Sequence, residues 1–299
     1  MTGAVRPTEV VEVVDPGMLS LIEDLGRPGL AELGVGRSGA ADTDSFRLAN
    51  RLVGNAETAA AVEFVLGGVA FRFRRAATVA LTGAPAPVRV GGRGAAFNAP
   101  FPVHAGEVLR VGRPSRGLRG YLAVRGGLGA EAVLGSRSRD TLAAIGPPPL
   151  RSGDVLPIAD DAGGPPVADV APVRWPPSDE PLRVIAGPRA DRFDPAALTA
   201  LATERYEVTT ESDRVGLRLA GPALRPSTAH SHTAGSLPSE GMVTGALQVP
   251  PSGQPVLFLP DHPVTGGYPV IGVVVTADLP RAAQLRPGDA VRFTWAELT

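Results

Sequence analysis

The sequence lacks two residue types that many catalytic sites require. Its 299 residues include no cysteine, and all 29 basic residues are Arg, so lysine is absent as well. Without cysteine the chain forms no disulfide and offers no thiol nucleophile and no thiolate ligand for zinc. Without lysine it has no Schiff-base chemistry, no Walker lysine and no amine to which biotin or lipoate attaches. We therefore expect no covalently bound cofactor on this chain.

Long apolar runs and an excess of one charge are also missing. No stretch approaches the ~20 apolar residues of a spanning helix, and acidic residues stand where a signal peptide needs an apolar run. The 29 basic and 30 acidic residues leave a net charge of −1, so no basic excess is present to hold a nucleic-acid backbone. We expect a cytoplasmic protein that binds neither nucleic acid nor a membrane.

The composition favours strands. Aromatic residues are scarce at 5%, whereas 37 Gly and 31 Pro interrupt the chain often. Frequent turn residues between short apolar runs are typical of many strands rather than a few long helices. The pattern predicts a mainly β protein with two domains, residues 1–160 and 182–299, joined by a proline-rich linker over 161–181. Similar segments at 104–112, 151–159 and 286–294 fit two related β domains, and common hairpin chemistry explains them equally well.

Three local patterns predict individual elements. Asp15-Pro16-Gly17 is a turn signal that divides an apolar stretch into two strands. Residues 40–53 are predicted to form a helix because apolar residues recur three apart after two aspartates. Over residues 62–73, apolar side chains occupy every second position on both sides of Gly67-Gly68. This pattern predicts a hairpin.

The segment Gly34–Gly39 fits the pattern G-x-G-x-x-G, but the strand that precedes a dinucleotide-binding motif is missing. We interpret its glycines as a backbone nest before a helix N-terminus, with Arg37 and Ser38 beside it to hold an anion. His230 and His232 lie in a polar stretch. Zinc needs three or four ligands at one point, so no metal site is predicted.

Four clusters of glycines and polar residues are embedded in apolar surroundings. Glycine lets backbone amides approach a ligand, and Arg, Asp, Ser and Gln supply directional hydrogen bonds to small polar groups. An equally good interpretation is that the glycines make turns and the Arg and Asp side chains pair for structure. The clusters are Asp24 to Gly29; Ser38 to Asp42 with Asn50 and Asn55; Gly135 to Arg139; and Pro238 to Gln248 with Asp261 and Thr265 to Pro269.

Ordered blocks connect these clusters into one pattern from about Val11 to Phe293. The blocks are EDLGRPGLAELGVGRSGAADTDSFRLANRLVGN (23–55), RGYLAVRGGL (119–128), VLGSRSRDT (133–141), LRSGD (150–154) and SEGMVTGALQVPPSGQPVLFLPDHPVTGGYPVIGVVVTADL (239–279). Together they resemble the biotin-dependent carboxyltransferase family, which includes the C subunit of 5-oxoprolinase, allophanate hydrolase subunit 2 and an antagonist of a sporulation-kinase inhibitor. The resemblance implies two tandem cyclophilin-like β-barrel domains with a few short helices. Glu23, Arg139 and Val270 stand where the family often has Gln, Thr and Lys.

The resemblance implies the C subunit of an ATP-dependent, multi-subunit 5-oxoprolinase, which converts 5-oxo-L-proline to L-glutamate. A partner similar to the B subunit and an A subunit of the lactam-utilisation type would complete the complex around a small-molecule amide substrate. Because this chain has no Walker motif, the ATP step is expected on another polypeptide. One alternative is the carboxyltransferase component of a urea carboxylase-like system, linked to allophanate, with biotin carried by a partner. Another is a non-catalytic antagonist that binds a kinase-inhibitor protein.

The resemblance and the polar clusters together give the candidate site residues. Asp24, Arg27, Asp261 and Tyr268 are the predicted catalytic residues. Arg27, Arg37 and Arg137 would hold a carboxylate in the carboxyltransferase alternative, with Asp24 or Asp42 as base. The full set of predicted substrate-binding residues is Arg37, Ser38, Asp42, Asn50, Arg137, Ser239, Glu240, Gln248, Thr265, Gly266 and Gly267.

Overall fold

The structure is a computed structural model that describes residues 8–159, 162–166, 168–175, 177, 179–227 and 237–296. Two compact units divide the chain. Unit 1 comprises Met1–Arg27, Asp42–Asp140 and Ala144–Arg174, and unit 2 comprises Pro28–Ala41, Thr141–Ala143 and Trp175–Thr299. Two short segments thus pack with unit 2 although their sequence neighbours belong to unit 1. The proposed linker over 161–181 includes residues outside the described ranges, and its boundaries stay a prediction.

Unit 1 contains eleven strands and one α-helix among its described residues. The strands are β1 (Thr8–Asp15), β2 (Ser20–Glu23), β3 (Ala61–Val65), β4 (Val69–Phe73), β5 (Ala77–Gly83), β6 (Val88–Val90), β7 (Arg93–Gly94), β8 (Pro100–Val103), β9 (Val108–Val111), β10 (Arg119–Val124) and β11 (Val155–Ile158), and the helix is α1 (Thr43–Leu52).

The strands of unit 1 form two sheets around one core. One sheet has the order β11-β1-β4-β9-β6-β7, and the other has the order β2-β3-β10-β5-β8. Buried side chains from both sheets, such as Val13, Phe71, Val62 and Leu122, belong to the same apolar cluster. Burial of such side chains contributes about 1.5–3 kcal/mol each, so this shared core holds the two sheets together.

The predicted hairpin over 62–73 is wrong. Both of its strands exist, but β3 pairs with β2 and β10, whereas β4 pairs with β1 and β9. The chain does turn at this point, because Leu66, Gly67 and Gly68 all have positive φ. Leu66 N–H bonds to Leu118 O at 2.8 Å, and Gly68 N–H bonds to Val111 O at 2.9 Å, so the turn carries the chain from one sheet to the other. The strands beside Asp15-Pro16-Gly17 likewise enter different sheets.

The helix predicted over 40–53 is confirmed as α1, with slightly shorter bounds. Asp42 is its N-cap and accepts a hydrogen bond of 3.0 Å from Ser45 N. This bond satisfies one of the amides that have no partner within the first turn. Phe46, Ala49 and Leu52 are buried, so the apolar stripe read from the sequence is the face that packs on the strands.

Unit 2 contains ten described strands and two short α-helices. The strands are β12 (Leu182–Ala186), β13 (Tyr206–Val208), β14 (Gly216–Ala220), β15 (Glu240–Gly241), β16 (Ala246–Gln248), β17 (Val256–Phe258), β18 (Thr265–Gly266), β19 (Val270–Val274), β20 (Ala290–Val291) and β21 (Phe293–Trp295), and the helices are α2 (Pro195–Thr203) and α3 (Leu279–Ala282).

Eight of these strands form a nearly closed barrel. Their order is β20-β13-β14-β17-β16-β19-β12-β21, and Arg292 alone separates the two end strands in the chain. The two edges of the sheet must therefore lie next to each other, which is how a barrel avoids open edges. Leu217, Leu247, Leu257 and Ile271 fill the interior. The prediction of a mainly β protein with a few short helices is confirmed. No helix in the described ranges is long and apolar enough to cross a membrane.

The barrel wall formed by β17, β16 and β19 is apolar on its outer face as well. Ala246, Phe258 and Val270 belong to a second apolar cluster together with Met242. The remaining strands, β15 and β18, form a separate two-stranded sheet beside Met242. We call residues 240–242 and 265–268 the flap.

Candidate functional site

The two units divide the predicted site residues between them. Unit 1 contains Asp24, Arg27, Asp42, Asn50 and Arg137; unit 2 contains Arg37, Ser38, Ser239, Glu240, Gln248, Asp261, Thr265, Gly266, Gly267 and Tyr268. Each unit has its own arrangement of these residues.

Asp24 fixes the loop over residues 133–138 in unit 1. Its Oδ1 accepts hydrogen bonds of 2.6 Å from both Ser136 Oγ and Ser138 Oγ, and its Oδ2 accepts one of 2.6 Å from Arg137 N. Gly26 N donates to Oδ1 at 2.8 Å, and the side chain is only 8% exposed. The carboxylate therefore holds the loop in place through both of its oxygens.

Arg27 holds the same loop through two of its carbonyl groups. Its Nε donates to Val133 O at 3.4 Å, and its Nη2 donates to Ser138 O. The residue is 2% exposed, and Nη1 has no hydrogen-bond partner among the described residues. Arg137, whose Nε donates to Ala130 O at 3.0 Å, belongs to this loop too. The structure thus places Asp24 and Arg27, from one predicted cluster, beside Arg137 from another.

Asp42 belongs to a buried network at the start of α1. Its backbone N–H donates to Tyr121 Oη at 2.8 Å, and Tyr121 Oη donates to Glu63 Oε2 at 2.8 Å. Arg119 lies 3.4 Å from the other oxygen of Glu63. Burial, followed by the negative charge of Glu63, raises the pKa of Tyr121 well above its usual range, so Tyr121 acts as a neutral donor.

Asn50 lies inside unit 1 and is fully buried. Its Nδ2 donates to Ala59 O at 2.8 Å, and its Oδ1 accepts from Asn55 Nδ2 at 3.0 Å. Asn55 also donates to Val124 O at 2.9 Å. These bonds connect α1 with the strands, and the predicted substrate contact of Asn50 stays a prediction.

Asp261 is the most heavily bonded carboxylate predicted for unit 2. Its Oδ1 accepts from Ser38 Oγ at 2.6 Å, and its Oδ2 accepts from Thr141 Oγ1 at 2.6 Å and Thr141 N at 2.9 Å. Arg214 Nε lies 2.9 Å from Oδ2, and the second guanidinium nitrogen donates to Gly39 O at 2.7 Å. Burial opposes ionisation, but Arg214 and the hydroxyl donors outweigh it, so the pKa of Asp261 lies below its usual value.

The glycine segment over 34–39 is held by this cluster. Ser38 has a φ of 52° and is buried, whereas Arg37 is exposed. A short 3-10 helix at Ala31–Leu33 precedes the segment instead of a strand, which agrees with the rejection of a dinucleotide motif. Because a non-glycine residue at positive φ is strained, the bond from Ser38 to Asp261 stabilises this conformation.

The flap brings together segments that the sequence placed in one cluster. Glu240 pairs with Gly266, and Gly241 pairs with Thr265. Arg189 Nε donates to the two oxygens of Glu240 at 2.8 and 3.2 Å. The hydrogen bond from Arg189 lowers the pKa of Glu240, so this pair stays ionised at neutral pH. Thr265 and Ser239 are exposed.

Gln248 lies on the outer face of the barrel wall beneath the flap. Its register partners are Val256 and Val270, so it is a polar side chain between apolar neighbours. It is 7% exposed, and its Nε2 donates to Tyr268 O at 3.3 Å. A Cβ added at Gly266 would overlap Gln248 Nε2, the movable end of that side chain, so a larger residue here would displace the Gln248 amide.

Tyr268 directs part of its side chain to solvent, with 41% of the residue exposed. Among the described residues, the atom nearest to a Cβ added at Gly267 is Leu237 O, at 3.8 Å. The predicted residues that unit 2 assembles at the flap are therefore Glu240, Thr265, Gly266, Gly267 and Tyr268, with Gln248 next to them.

Several residues of these arrangements were not predicted from the sequence. Thr141 ends a block already quoted from the sequence, so its place beside the site had a signal. The sequence contains no signal that identifies Arg214, Arg189 or Glu63, because their partners are distant in the chain. His262, which follows Asp261, packs its ring 5.9 Å from that of Phe258, and its Nδ1 lies 2.8 Å from Pro263 O. His230 and His232 lie outside the described residues.

Comparison with known proteins agrees with this architecture. Residues 33–295 match the model of the carboxyltransferase domain, subdomain A and B. The chain is 33% identical to the 5-oxoprolinase C subunit of Escherichia coli over 97% of this chain and 92% of that protein. It is 32% identical to the 5-oxoprolinase C subunit of Haemophilus influenzae over 95% of this chain and 90% of that protein.

Larger proteins contain a similar region. The chain is 32% identical to urea amidolyase of Lachancea kluyveri over 94% of this chain but 17% of that protein. The structure of the K. lactis urea amidolyase matches 99% of this chain with a TM-score of 0.89 and 29% identity, and the match covers 19% of that larger chain. The structure of the Kluyveromyces lactis urea carboxylase also matches with a TM-score of 0.89 and 29% identity, and the match covers 28% of that chain. This chain thus spans only part of the solved proteins that it matches, and it belongs to the carboxyltransferase-domain family that the sequence blocks indicated.

Proposed function

We propose that this chain is the C subunit of an ATP-dependent, multi-subunit 5-oxoprolinase, which converts 5-oxo-L-proline to L-glutamate. The observation that carries the proposal is the end-to-end match with the C-subunit proteins: 97% of this chain against 92% of the Escherichia coli protein. Urea amidolyase of Lachancea kluyveri is covered to only 17%. Because the match covers nearly the whole of the C-subunit protein, that protein is the better guide to the role of this chain.

The difficult step of this reaction is activation of a lactam carbonyl, because amide resonance stabilises it. This chain has no lysine and hence no P-loop lysine, so the proposal assigns ATP to an A subunit of the lactam-utilisation type. A protein similar to the B subunit is the proposed binding partner of this chain. The relatives are named as subunits, which supports an assembled enzyme.

At the flap, this chain offers donors that suit an amide substrate. The Tyr268 hydroxyl is a donor on a partly exposed ring, and Gln248 has an amide that is itself complementary to an amide. A donor that meets the developing oxyanion typically accelerates such a step by ~10²–10³. Tyr268 is therefore our proposed catalytic residue of this chain, with Gln248, Ser239, Thr265 and Gly267 as proposed substrate contacts.

Asp261 fits a positioning role better than that of a base. Its two oxygens already accept bonds from Ser38, Thr141 and Arg214, and the residue is 0% exposed. A base needs a free oxygen within hydrogen-bond reach of the proton that it removes. We propose that Asp261 orders the segments that carry Ser38 and Thr141, as Asp24 orders the loop over 133–138.

A second candidate function is the carboxyltransferase component of a urea carboxylase-like system. The likeness to the Kluyveromyces lactis urea carboxylase over 99% of this chain favours it. Biotin would arrive on a partner protein and supply the carboxyl group to be transferred. Of the arginines proposed to hold a carboxylate, Arg37 is exposed, whereas Arg27 is 2% exposed and bonded to its own loop. Arg37 therefore fits that role best.

Reconstitution separates the two functions. The chain is purified with the proteins encoded beside it that correspond to the other two subunits, and glutamate release from 5-oxo-L-proline is measured with and without ATP. We expect ATP-dependent release by the complex and none by the chain alone. Robust release without partners contradicts the proposed dependence on other subunits, and ATP-dependent carboxylation of urea with a biotin carboxylase but no glutamate release supports the second candidate.

A further inference from the structure

Two arginines face each other across neighbouring strands on the outer side of unit 1. Arg89 on β6 and Arg110 on β9 are direct register partners, and both are exposed. Residues paired in this way have Cβ atoms about 4.5–5.5 Å apart, and like charges so placed destabilise a sheet. The pair therefore carries an electrostatic cost in the folded chain.

Three other arginines of this region differ from the pair because each lies close to a carboxylate. Arg72 lies 3.1 Å and Arg74 lies 3.6 Å from oxygens of Glu12. Arg93 lies 2.6 Å from Glu107. In the part of the chain that the structure describes, the side chain of Arg110 has no hydrogen bond or ion pair, and the side chain of Arg89 donates only to Gly92 O at 3.2 Å.

The uncompensated pair lies in the middle of a groove. Two cavities of about 610 and 270 Å³ are both lined by Arg89 and Arg110. Glu107 also lines the larger one, and its carboxylate is already bound to Arg93 and to the His104 amide. The groove is open because glycines bound it: Gly91, Gly92 and Gly106 at one end, and Gly68 and Gly112 at the other. It follows β9 over residues 106–112, which corresponds to about 20 Å of extended chain.

We propose that this groove binds an extended acidic segment of a partner protein, whose carboxylates pair with Arg89 and Arg110. Guanidinium groups bind carboxylates through two parallel hydrogen bonds, and a carboxylate between the two arginines removes their repulsion. An elongated groove with its cations in the middle fits a strand-like segment better than a single small ion. Such a contact directs association and makes its rate depend on salt.

The test is binding of a fluorescently labelled hexaglutamate peptide to the full chain, measured by fluorescence anisotropy. We expect binding that weakens as sodium chloride is raised, and an R89S/R110S double variant that binds at least about tenfold more weakly. The matched control is R72S/R74S, which removes the same charge from the same sheet but from arginines already paired with Glu12. The control should bind within about twofold of the unchanged chain.

Three outcomes overturn the proposal: equal binding by R89S/R110S and the unchanged chain, an equal loss in the R72S/R74S control, or displacement of the peptide by inorganic phosphate at equal molar concentration. The last outcome would make the groove a small-anion site. The thermal midpoint of R89S/R110S shows whether the variant is folded. We expect it not to fall, because the substitution removes a repulsion.

Discussion

Ser38 Oγ donates a hydrogen bond of 2.6 Å to Asp261, although 223 positions separate the two residues in the chain. Thr141 Oγ1 donates to the same carboxylate across 120 positions, and Arg214 across 47 positions. Ser38 and Thr141 come from the two short segments that join unit 2 from within the sequence of unit 1. A single buried carboxylate thus fixes both segments on unit 2.

The first prediction concerns the stability of this arrangement. Replacement of Asp261 by Asn should lower the free energy of unfolding by about 3–5 kcal/mol, because Arg214 is left buried without its counter-charge. Urea unfolding followed by circular dichroism measures the change. Asp44→Asn, an exposed residue of α1, is the matched control and should change stability by less than about 1 kcal/mol. Equal losses in the two variants would show that Asp261 does not hold the segments.

The second prediction concerns the pH dependence of the same carboxylate. The pKa of Asp261 is lower in the folded chain than its ordinary value of 3.8. Its contribution to stability is therefore fully present above the unfolded pKa and is lost as the pH falls through the folded pKa. The difference in unfolding free energy between the unchanged chain and Asp261→Asn should be constant from pH 7 to about 5 and shrink at lower pH. A difference that instead grows on acidification contradicts the assigned direction.

The sequence was informative about local elements and uninformative about their partners. The two aspartates and the spacing of apolar residues predicted α1 because a helix closes its hydrogen bonds within one segment. The alternation over 62–73 located two strands correctly but not their neighbours. Strand pairing depends on contacts distant in sequence, and here β3 pairs with β10 while β4 pairs with β9.

The same distinction applies to the candidate site. The Ser239–Gly241 and Thr265–Tyr268 segments were grouped from their composition, and β15 does pair with β18. The partner of Asp261 was not predictable, because Arg214 lies in a turn whose sequence resembles many others. The burial of Asn50 and Arg27 was also not predictable, since the local sequence does not show whether a polar residue in a helix or loop faces the core or the solvent.

The third prediction concerns the contact between the flap and the barrel wall. Gly266→Ala should displace the Gln248 amide from its contact with the flap, because the added methyl group overlaps Gln248 Nε2 and crowds Met242. We expect the glutamate release of the assembled complex to fall at least about tenfold, while the fold survives because the flap lies outside the barrel core. The matched control is Gly241→Ala on the adjacent strand, where an added Cβ meets no atom of the described residues within 4 Å. If both variants retain full activity, the flap does not shape the site.

The last prediction concerns the hydroxyl group of Tyr268. Tyr268→Phe removes one hydrogen-bond donor and leaves the ring, so the kcat of the assembled complex should fall by ~10²–10³ if the hydroxyl meets the developing oxyanion. The matched control is Tyr206→Phe, since the Tyr206 hydroxyl is buried and has no hydrogen-bond partner among the described residues. The control should keep its activity, because an apolar ring of the same shape replaces a hydroxyl that makes no bond. A rise in KM with unchanged kcat would indicate a binding contact that is equal in ground state and transition state. Unchanged kcat and KM in a folded, assembled variant would exclude Tyr268 from the chemistry.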